Sequence, residues 1–313
     1  MTNRTRRITR ADTNCESTGA GWAPLVSILT PSFNQGRFLR DCIASVAAQT
    51  YANVEQIVAD GGSTDGTLTV LEGAPPFVRW QIEPDRGQAH ALNKALVRAS
   101  GEIVGWLNSD DALFGVDALE AVVSRFRSDP SIDVVYGDAV VLRGDGLVLR
   151  HHVAHWPGWE RLYPEASPLV QPAVFVRRRA LDALDEFVRE DLHVALDLEL
   201  WLRLGTAGAR FEHLARVLAV DRDHAERKVR TLGALRRREN ETLSQLYGTS
   251  FVHRPSDRAV AWWWRLRGAP DVCMWRRRYR PAFGWWTDSW PKRLMRQLVL
   301  PHSRQQSGIQ RPR

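Results

Sequence analysis

The chain has 313 residues, of which 44% are hydrophobic, and a net charge of +7. It is long enough for one large domain or two, each with a hydrophobic core. Cys15, Cys42 and Cys273 are odd in number and far apart, which argues against a disulfide framework and a cysteine metal site and suggests a reducing compartment. No apolar run approaches the roughly 20 residues that a membrane-spanning helix needs.

The charge is unevenly distributed along the chain. Residues 251–313 hold 14 Lys and Arg against three Asp, together with seven of the 13 tryptophans, so the rest of the chain is mildly acidic at −4. Residues 1–23 are basic but lack the apolar segment of a secretion signal, and we expect a disordered arm there. The sequence therefore predicts three parts, namely an arm at 1–23, a globular body at 24–250 and a basic, tryptophan-rich extension at 251–313.

The body alternates between strand and helix patterns. Apolar runs of strand length occur at residues 25–30, 54–59, 78–82, 103–107 and 134–136. Helical spacing of apolar residues follows the first run at 38–47 and the third at 89–96. A hairpin is expected at 142–150, around Asp145-Gly146. This alternation predicts an α/β fold with a mostly parallel sheet, which binds ligands beyond the carboxyl ends of its strands.

Four aspartates follow predicted strands at that ligand-binding edge: Asp60, Asp85, Asp110 and Asp111. A carboxylate in such a place loses hydration, so a helix N-terminus, a base, a metal ion or a ligand must satisfy it. Two purely structural alternatives remain open. In "GGSTDG", Ser63 or Asp65 caps a following helix, and in "SDD" the two aspartates start a helix at Ala112.

Two familiar phosphate-binding motifs are absent. A dinucleotide site requires Gly-x-Gly-x-x-Gly directly after the first strand. Here that strand leads into "TPSFNQGRF", which has one glycine and bulky neighbours. A Walker phosphate loop is missing as well, so the dehydrogenase and P-loop interpretations fail.

Several motifs resemble one enzyme family. "VSILTPSFNQGRFLRDCIASVAAQTYANVEQIVADGGSTDGT" looks like the N-terminal half of the inverting family-2 glycosyltransferases. The likeness continues through "EPDRGQAHALNKALVRASGEIVGWLNSDD", "VVYGDA", "QPAVFVRR" and "ALDLELWLRLG", over about residues 25–228. The resemblance implies a GT-A, Rossmann-like sheet flanked by helices, with a nucleotide-binding half at about 24–140 and an acceptor half at about 141–250.

The resemblance also implies a metal site. It places Asp111 on Mn²⁺ or Mg²⁺, with Asp110 beside the metal or the ribose, and aspartate oxygens suit both ions. Family members commonly carry Asp-x-Asp, whereas this chain has Asn108 at the first position, so which carboxylate ligates directly stays open. His224 matches a histidine that approaches the metal or the diphosphate in relatives, although a solvated histidine is the simpler alternative.

The implied donor is a nucleotide-diphospho sugar, with UDP preferred. The carboxylate of Asp60 could accept the ring N–H of uracil, which adenine lacks at the corresponding edge. The remaining donor-binding residues implied by the resemblance are Thr30, Pro31, Phe33, Asp85, Arg86, Lys94 and Asp110. The alternatives are a core role for Phe33 and ordinary surface charges for Arg86 and Lys94.

The resemblance maps the catalytic base onto Asp197. Inverting transfer needs a carboxylate that removes the proton of the acceptor hydroxyl. The acidic residue that precedes the base in relatives is Leu196 here, and helix N-capping is the alternative role for Asp197. Trp201 follows at i, i+4 and either lines the acceptor site or packs in the core.

Together these features predict a metal-dependent inverting glycosyltransferase of envelope, lipopolysaccharide or exopolysaccharide assembly. Its acceptor would be a saccharide or a lipid-linked hydroxyl, and its location cytoplasmic, peripheral on the inner face of the cell membrane. The alternative is a catalytically silent GT-A-like binding module. For the extension, Trp and Arg suit a membrane interface first, packing on the body second, and nucleic acid last.

Overall fold

The computed structural model describes residues 21–143, 147–162 and 169–248. The strands are β1 Val26–Ser32, β2 Val54–Asp60, β3 Val78–Ile82, β4 Ile103–Trp106, β5 Ala112–Leu113, β6 Val134–Arg143, β7 Val148–His152, β8 Val174–Arg177 and β9 Phe211–Asp223. The helices are α1 Gly36–Ala47, α2 Thr67–Glu72, α3 Gln88–Arg98, α4 Ala118–Ser128, α5 Arg178–Asp182, α6 Leu196–Thr206, α7 Lys228–Thr231 and α8 Gly233–Tyr247.

All nine of these strands join one sheet. Its order is β3-β2-β1-β4-β8-β6-β9-β5, and β7 pairs with β6. The first four positions are parallel, whereas β8 joins β4 and β6 in antiparallel fashion. The parallel strands therefore bring their carboxyl ends to one edge, as the alternating sequence pattern predicts.

Helices cover both faces of this sheet. Every residue of β1 is buried, and neighbouring residues in a strand point to opposite faces. Leu29 accordingly packs in a cluster with Leu92 of α3 and Leu202 of α6. Ile28 packs on the other side with Val46 of α1 and Val122 of α4. The predicted α/β class is confirmed, and the strand runs of the body correspond to β1, β2, β3, β4 and β6.

One structural alternative proves wrong. Ala112 does not begin a helix after Asp111, because Ala112 and Leu113 pair with Val220 and Ala219 of β9. The next helix begins only at Ala118. Cross-strand pairing in a buried environment decides the local structure here.

Other predictions fall partly or wholly outside the described residues. β6 and β7 pair antiparallel as a hairpin requires, but residues 144–146 at its tip lie outside them. The same holds for residues 1–20 of the basic arm and for the whole extension at 251–313. Among the helices that are described, none combines the length and apolarity needed to cross a bilayer.

Candidate active site

A cavity of about 940 Å³ opens at the carboxyl ends of the parallel strands. One wall consists of residues at or after the carboxyl ends of β1, β2, β3 and β4: Pro31, Phe33, Gly61, Asp85, Gln88, Asn108, Asp110 and Asp111. The opposite wall consists of Arg150, His151, His152, His155, His193, Asp197, Arg227, Lys228 and Arg236, and Asp221 lines the cavity beside Asp111. The cavity thus joins the predicted nucleotide half to the predicted acceptor half, and its size suits a small-molecule site.

Asp60 is satisfied by the turn that follows β2. Its Oδ1 accepts the backbone N–H of Gly62 at 3.0 Å and of Ser63 at 2.7 Å, and its Oδ2 accepts the Ser63 hydroxyl at 2.6 Å. Asp60 is buried, and its neighbour Gly61 lines the cavity. A Cβ atom at Gly61 would lie 2.6 Å from Oδ2 of Asp85, so glycine keeps this turn close to the end of β3. The nucleobase contact of Asp60 stays a prediction.

Of the two candidate capping residues, Asp65 reaches the following helix. Its Oδ1 accepts the N–H of Thr67, the first residue of α2, at 3.0 Å. Its Oδ2 accepts the N–H of Gly36, the first residue of α1, at 2.9 Å. Ser63 bonds Asp60 instead. The "GGSTDG" turn therefore fixes both helices against the end of β2.

The predicted base-binding residues divide between the cavity and the core. Pro31 and Phe33 line the cavity, and Phe33 is 61% exposed, so a core role for this ring is wrong. Thr30 is fully buried beneath them, and its hydroxyl accepts the Gln56 amide at 3.0 Å. Asp85 also lines the cavity, with Oδ1 accepting the N–H of Gly87 at 2.7 Å.

The two predicted basic donor contacts point elsewhere in this structure. Arg86 pairs with Glu190 at 2.5 Å, and Lys94 pairs with Glu83 at 2.9 Å. Neither belongs to the described lining of the cavity. Arg86 matches the alternative of a surface charge, since its side chain is 70% exposed. The Lys94 side chain is only 18% exposed, so Lys94 is a partly buried ion-pair partner.

Asp110, Asp111 and Asp221 form an acidic cluster on the cavity. The pairing of Ala112 with Val220 brings Asp111 next to Asp221. Oδ1 of Asp111 accepts the backbone N–H of Arg222 at 3.1 Å. Burial raises the pKa of Asp111 well above its ordinary value, and the charges of Asp110 and Asp221 raise it further. Arg227 offsets part of this charge by pairing with Asp221 at 2.6 Å.

His224 is held against this cluster. Its Nε2 lies 2.9 Å from Oδ2 of Asp110, and its ring packs on Phe38 with centroids 4.8 Å apart. Nδ1 is buried without a hydrogen-bond partner among the described residues. The interpretation as a merely solvated histidine is therefore wrong, and the histidine contacts a predicted metal ligand.

A divalent cation fits the chemistry of this wall. Within the described ranges, no three His, Cys, Asp or Glu side chains form a ready-made metal site. Asp110 and Asp111 nevertheless both border the cavity, and carboxylate oxygens are the donors that Mg²⁺ and Mn²⁺ prefer. Burial, and after it the charges of Asp110 and Asp221, raise the pKa of Asp111, and a bound cation would offset that negative charge.

Asp197 lies on the opposite wall, at the second residue of α6. Its Oδ1 accepts the backbone N–H of Leu198 at 2.8 Å. Ala195, not Asp197, is the N-cap of this helix. Asp197 is half-buried and borders the cavity, and its burial raises the pKa of its carboxyl.

A glutamate on α8 holds the start of that helix. Glu239 is buried, and its carboxylate accepts the backbone N–H groups of His193 at 2.8 Å, Val194 at 2.9 Å and Ala195 at 2.8 Å. These donors immediately precede α6 and would otherwise lack partners. Glu239 therefore fixes the segment that leads into Asp197.

Leu196 and Trp201 belong to the hydrophobic core. Both are 2% exposed and pack in the cluster that contains α6. Leu196 also borders the cavity, whereas Trp201 is not among the described lining residues. For Trp201 this placement matches core packing, the alternative to an acceptor contact.

Several lining residues carry no sequence-based assignment. The side chain of Asn108 accepts the amide of Gln88 at 2.8 Å and donates to Gln171 at 2.9 Å and to Oδ2 of Asp111 at 3.2 Å. An ionised aspartate at this position has no N–H to donate, so it could not make the last two bonds. The amide of Asn108 is therefore required for the hydrogen bonds to Gln171 and Asp111. The motifs "GQAHA" and "QPAVFVRR" contain Gln88 and Gln171 but do not reveal this network.

The opposite wall also holds basic residues that sequence patterns did not single out as site residues. They are Arg150, His151, His152 and His155 on and after β7, with Arg227, Lys228 and Arg236. Arg227 and Lys228 fall within "DRDHAERK", where only His224 matched the family pattern. Arg236 lies in a polar helix whose sequence does not indicate a functional residue.

Comparisons with known proteins agree with this architecture. The chain is 32% identical over 197 residues to a chondroitin synthase of Pasteurella multocida, which covers 62% of the chain but 20% of the synthase. S. aureus TarS in complex with UDP-GlcNAc superposes with a TM-score of 0.52 at 20% identity, over 65% of this chain and 60% of that one. A mannosyltransferase from Pyrobaculum calidifontis in complex with GDP-Man and Mn²⁺ has the same TM-score at 22% identity, over 69% and 61%. The chain thus spans about a fifth of this curated relative, and the two solved structures share its fold. Residues 27–184 match the model of glycosyl transferase family 2, and the chain belongs to that family.

Proposed function

We propose that this protein is a metal-dependent, inverting glycosyltransferase that moves a sugar from a nucleotide-diphospho donor to a hydroxyl. One observation carries the proposal. Asp110 and Asp111 on one wall and Asp197 on the other open onto a single cavity of about 940 Å³ at the carboxyl ends of the strands. Membership of glycosyl transferase family 2 supports a transferase.

The donor nucleotide would occupy the wall formed by the parallel strands. Pro31, Phe33 and Asp85 line this wall, and the exposed Phe33 ring is available for stacking on a base. UDP-GlcNAc in TarS and GDP-Man in the mannosyltransferase support a nucleotide-sugar donor. We place UDP first because the Asp60 carboxylate can accept a uracil N–H. Its Oδ2 accepts the Ser63 hydroxyl and has capacity for a second donor.

Mn²⁺ or Mg²⁺ would be held by Asp111 and Asp110, with His224 fixing Asp110. When bound, the cation supplies charge neutralisation for the departing nucleoside diphosphate. The Mn²⁺ in the mannosyltransferase complex supports a metal of this kind.

Asp197 would act as the base. In the displacement, the acceptor oxygen forms a bond to the anomeric carbon while the bond to the diphosphate breaks. Asp197 takes the hydroxyl proton, and the configuration at the anomeric carbon inverts. Burial raises the pKa of Asp197, which makes the ionised carboxylate a better proton acceptor than an exposed aspartate.

The biological setting we propose is envelope, lipopolysaccharide or exopolysaccharide assembly on the cytoplasmic side of the cell membrane. The chondroitin synthase relative supports polysaccharide assembly in general. The acceptor would then be a saccharide or a lipid-linked saccharide. Any peripheral membrane association would rest on residues 251–313, which lie outside the described residues.

A thermal-shift screen of nucleotide sugars with and without Mn²⁺ tests the proposal. We expect one donor to raise the melting temperature only with metal present, because a ligand that binds the folded state stabilises it. Product formation with that donor should stop in excess EDTA. Full activity in EDTA would refute the metal role, and donor binding without turnover on any hydroxyl would favour the silent binding module.

Asp111→Ala sharpens the test of the metal site. The metal would contact the diphosphate and not the base, so this change should weaken UDP-sugar binding far more than uridine binding. Asp182→Ala is the matched control, because the Asp182 side chain is 61% exposed on α5 and is not among the described lining residues of the cavity. Equal losses for UDP-sugar and uridine would contradict the assignment.

A further inference from the structure

Arg236 is a cation on the acceptor wall whose side chain pairs with none of the described residues. It lies on α8, borders the cavity and is half-buried. Its backbone N–H donates to the carbonyl of Leu232, but its guanidinium forms no hydrogen bond or ion pair with any described residue. Arg227 on the same wall is instead paired with Asp221 at 2.6 Å. A half-buried guanidinium has lost part of its hydration, so an anion that reaches it gains a strong, two-pronged hydrogen bond.

Arg236 lies close to the proposed base without binding it. Its positive charge lowers the pKa of Asp197, opposing the larger effect of burial, yet no ion pair joins the two side chains. The guanidinium therefore has its donors available to a third group beside Asp197. In the proposed reaction that place belongs to the acceptor.

The position of Arg236 relative to Asp197 is fixed by the protein. Glu239 lies three residues further along α8, on the same helix face. It accepts three backbone N–H groups that lead into α6, at 2.8–2.9 Å. One turn of α8 thus holds both Arg236 and the glutamate that binds the start of the base-bearing helix.

Lys228 adds positive potential to the same cavity. Its Nζ donates to the side-chain oxygen of Gln88 at 2.9 Å and to the carbonyl of His193 at 3.5 Å, both neutral acceptors. Because Lys228 reaches Gln88 on the donor wall, we assign the acceptor contact to Arg236 alone. The two cations together make this part of the cavity attractive to negative charge.

We propose that the acceptor carries an anionic group, a carboxylate or a phosphate, and that Arg236 binds it beside Asp197. This inference rests on the proposed function, because it concerns the acceptor of the same reaction. It adds a substrate class, namely acidic or phosphorylated saccharides, to a site whose family membership leaves the acceptor open.

Three probes with one scaffold test the inference. They are para-nitrophenyl glucoside, para-nitrophenyl glucuronide and the glucoside phosphorylated on its primary hydroxyl, each titrated into the full chain with UDP and Mn²⁺ present. Binding is measured by NMR. We expect one or both charged probes to bind roughly tenfold or more tighter than the neutral one, as a charge-assisted bond implies. Tighter binding of the glucuronide would indicate a carboxylate on the acceptor, and tighter binding of the phosphorylated glucoside would indicate a phosphate.

Variants of α8 assign that preference to one residue. Arg236→Gln should remove the preference for charge, and Arg236→Lys should keep part of it. Arg237→Gln, at the exposed neighbouring position, is the matched control and should keep all of it. Melting temperatures establish that each variant is folded.

Several results would overturn the inference: equal binding of the three probes, a preference that survives Arg236→Gln, or a loss of UDP affinity in that variant as large as the loss of probe affinity. The last outcome would place Arg236 on the donor. A protein that binds no nucleotide at all would instead refute the proposed function and the inference with it. Normal UDP binding without charge preference would refute the inference alone.

Discussion

Each aspartate on the cavity has a different set of neighbours, and these neighbours suit different tasks. Asp111 receives a backbone N–H from Arg222 and an amide from Asn108, which orients a carboxylate beside Asp110. Asp197 receives the N–H of Leu198 and forms no ion pair with any described residue. A carboxylate that is buried and not neutralised by a cation keeps its affinity for a proton, as a general base requires.

Asp197→Asn should therefore cut turnover by about 10²–10⁴-fold, because the amide cannot take a proton. Donor affinity should barely change, since Asp197 lies on the wall opposite the strand ends. Steady-state kinetics and donor titration of the same preparation measure both quantities. Asp182→Asn is the exposed control. A variant that loses donor affinity but keeps its turnover per bound donor would contradict the assignment.

The same substitution should stabilise the fold at neutral pH. Because burial raises the pKa of Asp197 in the folded state, ionisation of this carboxylate favours the unfolded chain. The gain from Asn should be absent below the ordinary aspartate pKa of about 3.9. It should grow as the pH rises to the raised pKa and stay constant above it. Denaturant titrations of both proteins across this range measure the difference, and a gain that shrinks toward neutral pH would contradict the burial argument.

At the scale of elements, one turn of α8 carries two residues with different tasks. Glu239 caps the segment before α6, and Arg236 faces the cavity beside Asp197. This arrangement cannot be predicted from local sequence, because Glu239 lies more than 40 residues from the backbone groups that it binds. The polar pattern of α8 indicates only a solvated helix.

Glu239→Gln tests the coupling between these helices. Glutamine retains one acceptor oxygen where the carboxylate offers two, so at least one buried N–H loses its partner, at a cost of about 1–3 kcal/mol. Turnover should fall while donor affinity is kept, because the change displaces Asp197 and not the strand ends. Chemical denaturation and donor titration provide the two readings. Glu241→Gln, at an exposed position of the same helix, should alter neither, and a Glu239 variant with normal turnover would refute the positioning role.

The elements that the sequence predicts well are those in which local pattern and packing agree. β1, β2 and β4 are short apolar runs, and α1 and α3 each carry one apolar face. Both patterns of apolar residues can be recognised in the sequence. The sequence does not predict β5, because a strand of two residues is too short to show an alternating pattern. Its strand conformation results from pairing with β9. The residues of the candidate site also fall into a predictable group and an unpredictable one. Aspartates after strands could be located from the chain, whereas Glu239, Gln171 and Arg236 reach the site through tertiary packing.

At the scale of the whole molecule, the charge of the chain belongs to its C-terminal extension. Residues 251–313 contribute +11 of charge to a chain whose net charge is +7. Their structure lies outside the described residues, which end at Gly248 with α8 completed. Membrane association and packing on the body remain the two leading hypotheses for this segment, and they predict opposite results on truncation.

If residues 251–313 anchor the protein to a membrane, the full chain should sediment with vesicles that contain anionic lipid. Each Lys or Arg near the surface contributes about 1 kcal/mol, and salt screens this attraction. Tryptophan insertion is far less sensitive to salt, so high salt should release only part of the protein. Vesicles of neutral lipid are the control for charge, and a blue shift of tryptophan emission reports insertion.

Truncation after Gly248 separates the two hypotheses. Under membrane anchoring, the shortened chain should no longer sediment, while its UDP-induced thermal shift is kept because the strands and helices that line the cavity are all retained. Under packing on the body, removal of seven tryptophans exposes the apolar surface that they cover, and the melting temperature or the solubility should fall. A full chain that neither binds anionic vesicles nor changes its emission would refute anchoring. A truncated chain that is stable but still sediments would assign membrane binding to the body.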